Sequence, residues 1–117
     1  IFIMNKHLQL VRSFHEKFQV PVAKTPTSIP SDRKNLRHKL MADEVDEYSK
    51  GGGLINTAKE LADILYTTYG TILEHGLQDV MDDVFCEVHK SNMSKDYSPE
   101  KMLKGKGYHK ADLDQFL

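Results

Sequence analysis

LRHKLMADEVDEY, residues 36–48, and KELADILYTTYG, residues 59–70, decide the fold of this chain. Each stretch predicts an α-helix, and three glycines at 51–53 mark a loop between the two helices. Each helix carries two acidic residues one turn apart, namely Glu44 and Glu47, then Glu60 and Asp63. Because residues at i and i+3 project from one helix face, antiparallel packing across the glycine loop can bring the two pairs together.

Glu44 and Glu47 stand where apolar side chains are expected. At about 100° per residue they continue the stripe of Leu36 and Leu40, which should be the buried side of the helix. Carboxylates gathered there repel one another and resist desolvation, and a divalent cation is the ordinary remedy. Oxygen ligands suit Mg²⁺ or Mn²⁺. We therefore predict a metal site formed by Glu44, Glu47, Glu60 and Asp63.

Other interpretations of these acidic residues compete with a metal site. They can form two solvated helix faces, or salt bridges within a purely structural helical oligomer. A di-iron bundle also gathers carboxylates, but it needs Glu-x-x-His motifs on two helices, and the sequence has none. We favour a metal-dependent helical enzyme, because two acidic pairs occur on consecutive helices.

The rest of the sequence predicts further helices and no strand pattern of useful length. A segment with three prolines should separate the first two helices. The predicted helices, in order, are residues 5–19, a second capped by Ser31 or Asp32, a third over 54–75 that stops at Gly76, a fourth containing Val80, and a short fifth from Pro99. We predict one all-α domain over residues 1–117, a four-to-five-helix bundle.

The predicted third helix is apolar around more than half of its circumference. The exception is a strip that holds Asn56, Lys59, Glu60, Asp63, Thr67 and Gly70. Such a helix is surrounded by others, and a chain with four main helices can hardly cover it alone. We therefore expect oligomerisation to complete the core, as a homodimer or a homotetramer.

Composition limits the function classes. The 117 residues are 28% charged and 39% hydrophobic, which is typical of one globular domain. A net charge of -1 argues against a nucleic-acid or membrane surface. We expect no signal peptide or membrane span at residues 1–4, a run too short for either. The single cysteine, Cys86, excludes an intrachain disulfide and fits the cytoplasm, where we expect the protein.

The acidic motifs resemble the all-α nucleoside triphosphate pyrophosphatase superfamily, which includes MazG-like proteins, dimeric dUTPases and phosphoribosyl-ATP pyrophosphohydrolases. Its hallmark is EExxE on one helix and ExxD on the next, which here reads Asp43-Glu44-x-x-Glu47 and Glu60-x-x-Asp63. SNMSK, residues 91–95, and LKGKGYHKADL, residues 103–113, resemble the phosphoribosyl-ATP pyrophosphohydrolase-like branch. The chain departs from the hallmark at Asp43, where the superfamily usually has the longer glutamate.

The resemblance implies a Mg²⁺-dependent enzyme that cleaves a nucleotide between its α- and β-phosphates and releases a monophosphate and pyrophosphate. The acidic ligands would hold one or two Mg²⁺ ions against the phosphates, and Asp43 or Glu44 would orient the attacking water. The departure at Asp43 motivates an alternative, a non-catalytic nucleotide- and metal-binding helical oligomer. We favour a step like that of histidine biosynthesis less than house-cleaning of nucleotides or pool control.

Phosphate groups also need cationic donors. Our candidates for substrate binding are Asn92, Lys95, Lys104 and Tyr108. The last two lie with Lys106 in a glycine-punctuated segment that can close over a nucleotide. Arg37 can pair with a carboxylate or reach a phosphate, and pairing is the safer interpretation.

Overall fold

Four α-helices and one short 3-10 helix are the regular structure of residues 5–98 and 102–117, which this computed structural model describes. No β-strand occurs in those two ranges, so the predicted all-α fold is confirmed. The chain divides into two compact units, Ile1–Asp79 and Val80–Leu117. The first unit contains α1 (Lys6–Lys17), α2 (Ser31–Ser49) and α3 (Leu54–Glu74), and the second contains α4 (Met81–Met93) and the 3-10 helix (Asp114–Phe116).

Local capping explains where α1 begins and where α3 ends. The side-chain oxygen of Asn5 accepts a hydrogen bond from a first-turn backbone N–H at 2.9 Å, which starts α1. As predicted, α3 does not continue past Gly76: its last helical residue is Glu74, and the φ of Gly76, 66°, lies in the left-handed region. The N–H of Leu77 then donates to the carbonyl of Ile72 at 3.0 Å. A side chain at position 76 would also collide with the carbonyl of Thr25.

The start of α2 differs from the prediction. Ser31 is already its first helical residue, and no side chain caps this end of the helix. The N-cap position belongs to Pro30, whose φ of -56° and ψ of 151° keep the backbone extended up to the first turn. The predicted caps, Ser31 and Asp32, are therefore wrong.

A small apolar core joins α1 to α3. Its buried members are Leu8, Val11 and Leu73, and Val22, Tyr69 and Ile72 pack against them. The segment that follows α1 also contacts the end of α3, because the N–H of Ala23 donates to the carbonyl of Leu73 at 3.0 Å. This core fixes α1 and the C-terminal half of α3 relative to each other.

Polar contacts dominate where α2 meets α3. Within α2, all of whose residues are described, Arg37 alone is buried. Leu36, which we expected on the buried side, is 39% exposed, so that expectation is wrong. Arg37, early in α2, donates a hydrogen bond to the carbonyl of Thr67, late in α3, so the two helices run antiparallel.

Other expectations about the organisation of the chain have separate outcomes. None of the described helices combines the length and apolar character needed to cross a membrane. The short fifth helix predicted from Pro99 begins outside the described residues. The structure has two compact units, and the single domain over residues 1–117 stays a prediction.

Candidate metal centre

Three acidic side chains meet where α2 packs against α3. They are Glu44 of α2 and Glu60 and Asp63 of α3, and one carboxylate oxygen from each lies within 4.8 Å of the others. Glu60 and Asp63 share a face of α3 because they are one turn apart. Antiparallel packing then brings the later part of α2, with Glu44, beside the early part of α3. Three of the four predicted metal ligands therefore lie together, and we call them the acidic cluster.

Glu60 is the buried member of the acidic cluster. It is 7% exposed, and its Oε2 atom has no hydrogen-bond partner among the described residues. Its Oε1 atom lies 3.7 Å from Nζ of Lys59. An unpaired carboxylate oxygen is costly to bury, and coordination to a cation compensates for it. Since Mg²⁺ and Mn²⁺ prefer carboxylate oxygens, these residues fit a divalent cation.

Negative charge exceeds positive charge in the acidic cluster. Burial, followed by the negative charges of Asp63 and Glu60, raises the pKa of Glu44. The ammonium group of Lys59 lies 2.8 Å from Oδ2 of Asp63 and opposes this rise. Three carboxylates thus face one ammonium group, an imbalance that a divalent cation would correct.

Two other predicted site residues point to neighbouring lysines. Oε1 of Glu47 accepts a hydrogen bond from Lys50 at 3.0 Å. Oδ2 of Asp43 accepts one from Lys39 at 2.7 Å. Both carboxylates are about half exposed, and neither belongs to the acidic cluster. The charge of Glu47 nevertheless contributes to the raised pKa of Glu44. Glu47 as a metal ligand and Asp43 as a water-orienting group stay predictions.

The second unit brings together part of the predicted substrate-binding set. Nζ of Lys104 lies 5.3 Å from the centre of the Tyr108 ring. A hydrogen bond to Ser91 is the main cause that lowers the pKa of Tyr108. The positive charges of Lys104 and Lys95 lower this pKa further, so both ammonium groups act on the same ring. Asn92 is exposed at the end of α4. All four stay predictions as substrate contacts.

A comparison with protein-family models decides the family. Residues 11–92 match the model described as phosphoribosyl-ATP pyrophosphohydrolase. This range covers well over half of the chain and contains both acidic motifs. The chain belongs to the phosphoribosyl-ATP pyrophosphohydrolase family. A search of curated proteins finds no match.

Family membership confirms the predicted superfamily and the enzyme class. Members of the phosphoribosyl-ATP pyrophosphohydrolase family are pyrophosphohydrolases that act on phosphoribosyl-ATP, and the chain is a nucleotide pyrophosphohydrolase. The matched range includes the acidic cluster and ends at Asn92. Lys95, Lys104 and Tyr108 lie beyond it, so the match gives them no support.

Sequence reasoning missed a buried ion pair in this family member. Arg37, 6% exposed, places Nη1 3.2 Å from Oε2 of Glu74. Arg33 donates two further hydrogen bonds to Glu74, at 2.9 and 2.8 Å. The interpretation that Arg37 pairs with a carboxylate is confirmed, but Glu74 was not expected as its partner. One signal was available, because Glu74 follows Asp63 by eleven residues and so lies about three turns along the same face of α3.

Proposed function

We propose that the chain is a Mg²⁺-dependent pyrophosphohydrolase that cleaves a nucleotide between its α- and β-phosphates. The observation that carries the proposal is the convergence of the carboxylates of Glu44, Glu60 and Asp63. Family membership supplies the reaction type and makes phosphoribosyl-ATP the first substrate to test. The products would be a nucleoside monophosphate derivative and pyrophosphate.

The acidic cluster would hold Mg²⁺ or Mn²⁺, with Oε2 of Glu60 as its buried ligand. A metal ion bound there supplies positive charge that neutralises phosphate oxygens. Glu44 would also orient the attacking water, because its carboxylate would lie beside the bound cation. Asp43 is the second candidate for orienting that water. Glu47 would extend the ligand set if its side chain turned away from Lys50.

Substrate contacts are proposed in the second unit. Lys95 and Lys104 offer ammonium groups to phosphate oxygens, and Asn92 offers an amide donor. The ring of Tyr108, already 5.3 Å from Nζ of Lys104, would add a flat surface for a base or a sugar.

The active form is proposed to be a homodimer or a homotetramer in the cytoplasm. Leu10 of α1 and Leu65 and Tyr66 of α3 are about half exposed, yet they line an apolar groove of about 160 Å³. Ile55 and Leu54, at the start of α3, are also almost fully exposed. A second copy of the chain would bury this apolar surface, whose exposure to water is unfavourable. The single cysteine, Cys86, fits the reducing cytoplasm.

Pyrophosphate release tests the proposed function. The purified protein and Mg²⁺ are incubated with phosphoribosyl-ATP, dUTP and the common nucleoside triphosphates, and products are identified by ³¹P NMR. The expected result is a monophosphate and pyrophosphate from at least one nucleotide, and loss of this activity in Glu60→Gln. Asp46→Asn is the matched control, since Asp46 is an exposed acidic residue of α2 outside the acidic cluster. Nucleotide binding without any product would favour the non-catalytic alternative instead.

A further inference from the structure

α2 depends on one buried charged side chain for its place on α3. Arg37 is the one buried residue within α2, whose residues are all described. Leu36, Val45 and Tyr48 of the same helix are each more than one third exposed. Leu40, Met41 and Ala42 are only partly buried, so the polar contacts of Arg37 contribute much of what holds α2 on α3.

Arg37 contacts α3 in three directions. Its Nε donates to the hydroxyl of Thr71 at 3.1 Å, and its Nη2 donates to the carbonyl of Thr67 at 2.7 Å. Its Nη1 lies 3.2 Å from the carboxylate of Glu74. A guanidinium group is planar and rigid, so three partners around it fix both the rotation and the translation of α2 along α3.

Gly70 of α3 makes room for this guanidinium group. It is buried, and a Cβ atom at this position would collide with Nη2 of Arg37. The same Cβ atom would lie 2.9 Å from Nε2 of His15. Glycine is unfavourable inside a helix, so its presence in the interior of α3 has a steric reason here.

We infer that Arg37 and Gly70 are positioning residues for the acidic cluster. Arg37 precedes Glu44 by seven residues, or about two turns on nearly the same face of α2. On α3, Thr67 follows Asp63 by one turn. Because both helices are rigid, a displacement of Arg37 along α3 moves Glu44 relative to Glu60 and Asp63. The inference rests on the proposed function, since it assigns these residues a role at the proposed metal site.

Binding of Mn²⁺ alone, measured by electron paramagnetic resonance and calorimetry, tests the inference without turnover. Arg37→Lys keeps the positive charge but loses the three-directional contacts, and Gly70→Ala displaces the guanidinium group. Each should move Glu44 relative to Glu60 and Asp63 and weaken Mn²⁺ binding by about 10-fold, the lower end of the loss that follows when metal ligands are poorly oriented. Thr71→Val removes one contact and should give a smaller loss in the same direction, which keeps the test open if Arg37→Lys fails to fold.

Val11→Ala is the matched control for general loss of stability. Val11 of α1 is buried in the apolar core against α3. It makes no described side-chain hydrogen bond or ion pair with α2. This variant should lower the thermal midpoint but keep Mn²⁺ affinity within about twofold of wild type, as expected for independent sites. A loss of affinity in Val11→Ala equal to that in Arg37→Lys would overturn the positioning role.

A double variant with both Arg37→Lys and Gly70→Ala tests whether Gly70 affects Mn²⁺ binding through its contact with Arg37. In an Arg37→Lys background Gly70→Ala no longer meets Nη2, so it should weaken Mn²⁺ binding less than it does in wild type. Wild-type affinity in both single variants would refute the inference and leave the proposed function standing. If the wild-type protein itself does not bind Mn²⁺, the proposed metal site is wrong and the inference fails with it.

Discussion

Nζ of Lys59 lies 2.8 Å from Oδ2 of Asp63, so a positive charge from the chain itself is already present at the acidic cluster. The same ammonium group is 3.7 Å from Oε1 of Glu60. The hydrogen bond to Asp63 raises the pKa of Lys59, which therefore stays charged at neutral pH. Lys59 moderates the repulsion among the three carboxylates, and it also repels any cation that approaches them.

Removing this charge should therefore change metal binding and stability in opposite directions. In Lys59→Gln we expect Mn²⁺ to bind a few-fold more tightly, because the cation no longer competes with an ammonium group. The metal-free variant should unfold at a lower temperature than wild type, because the carboxylates lose their counter-ion. Calorimetry with Mn²⁺ and thermal unfolding in a chelator measure the two effects. Weaker Mn²⁺ binding in Lys59→Gln would contradict this account of Lys59.

Glu60→Gln should have the opposite effects: it should weaken Mn²⁺ binding and stabilise the metal-free protein. It keeps the size of the buried side chain but removes one of the charges that repel Glu44 and Asp63, so the metal-free protein should unfold at a higher temperature. Wild type should gain about 2.7 kcal/mol of stability when free Mn²⁺ is 100 times its Kd, and the variant should gain almost none. Asp46→Asn should retain the full Mn²⁺ response. Thermal unfolding with and without Mn²⁺ measures all three proteins.

Glu74→Gln should destabilise the protein strongly. The Glu74 side chain is 1% exposed, and its loss of charge leaves Arg37 buried without a counter-ion. Breaking a buried pair in this way typically costs about 3–5 kcal/mol. Glu16→Gln breaks the exposed pair between Arg12 and Glu16, and it should change stability by less than about 0.5 kcal/mol. Urea unfolding compares them, and similar small losses in both variants would contradict the role of Glu74.

Stability should fall in mildly acidic solution because of His15. Burial is the main cause that lowers the pKa of His15, and the charge of Arg37 adds to it, although the hydrogen bond to the carbonyl of Pro21 opposes both. Below the ordinary value of 6.5 the unfolded chain takes up a proton that the folded protein does not. This contribution to stability is therefore complete above that value and is lost progressively as the pH falls from 6.5 toward the lower folded-state pKa.

Urea unfolding between about pH 7.5 and about pH 5.5 measures the effect of His15. His15→Asn can keep the hydrogen bond to Pro21 but does not titrate, so its stability should depend less on pH than that of wild type. His38→Asn alters an exposed histidine of α2 and should keep the wild-type slope. Equal slopes in wild type and His15→Asn would show that His15 is not the titrating group.

Leu65→Glu should dissociate the proposed oligomer. Leu65 is 49% exposed on α3 and lines the apolar groove with Leu10 and Tyr66. A charge placed there resists burial against a second copy. Light scattering coupled to size-exclusion chromatography should give a larger mass for wild type than for the variant. Asn35→Glu, at an exposed polar position of α2, is the control and should keep the wild-type mass.

The sequence predicted the parts of this structure that follow from local spacing. Glu60 and Asp63 are one turn apart on any α-helix, and Gly76 ends α3 because its backbone conformation favours glycine. Both predictions depend on neighbours in the sequence alone. The meeting of Glu44 with the other two carboxylates required one more assumption, antiparallel packing across a short loop, and this assumption is correct.

The rotation of α2 could not be predicted in the same way. Periodicity placed Leu36 on the buried side, but the ion pair of Arg37 with Glu74 turns a different face toward α3. These two residues are separated by 37 positions, so no local pattern links them. Glu47 as a metal ligand stays a prediction from the same spacing, and its carboxylate accepts a hydrogen bond from Lys50.

The scarcity of buried apolar side chains in α2 has a consequence for how the enzyme loses activity. An element held mainly by polar contacts opens at a lower free energy than the apolar core, while α1 and α3 stay joined. Such an opening carries Glu44 away from Glu60 and Asp63. Gentle heating or dilute urea should thus abolish turnover while the core between α1 and α3 stays folded. Amide protons of α2 should also exchange with solvent sooner than those in the second half of α3.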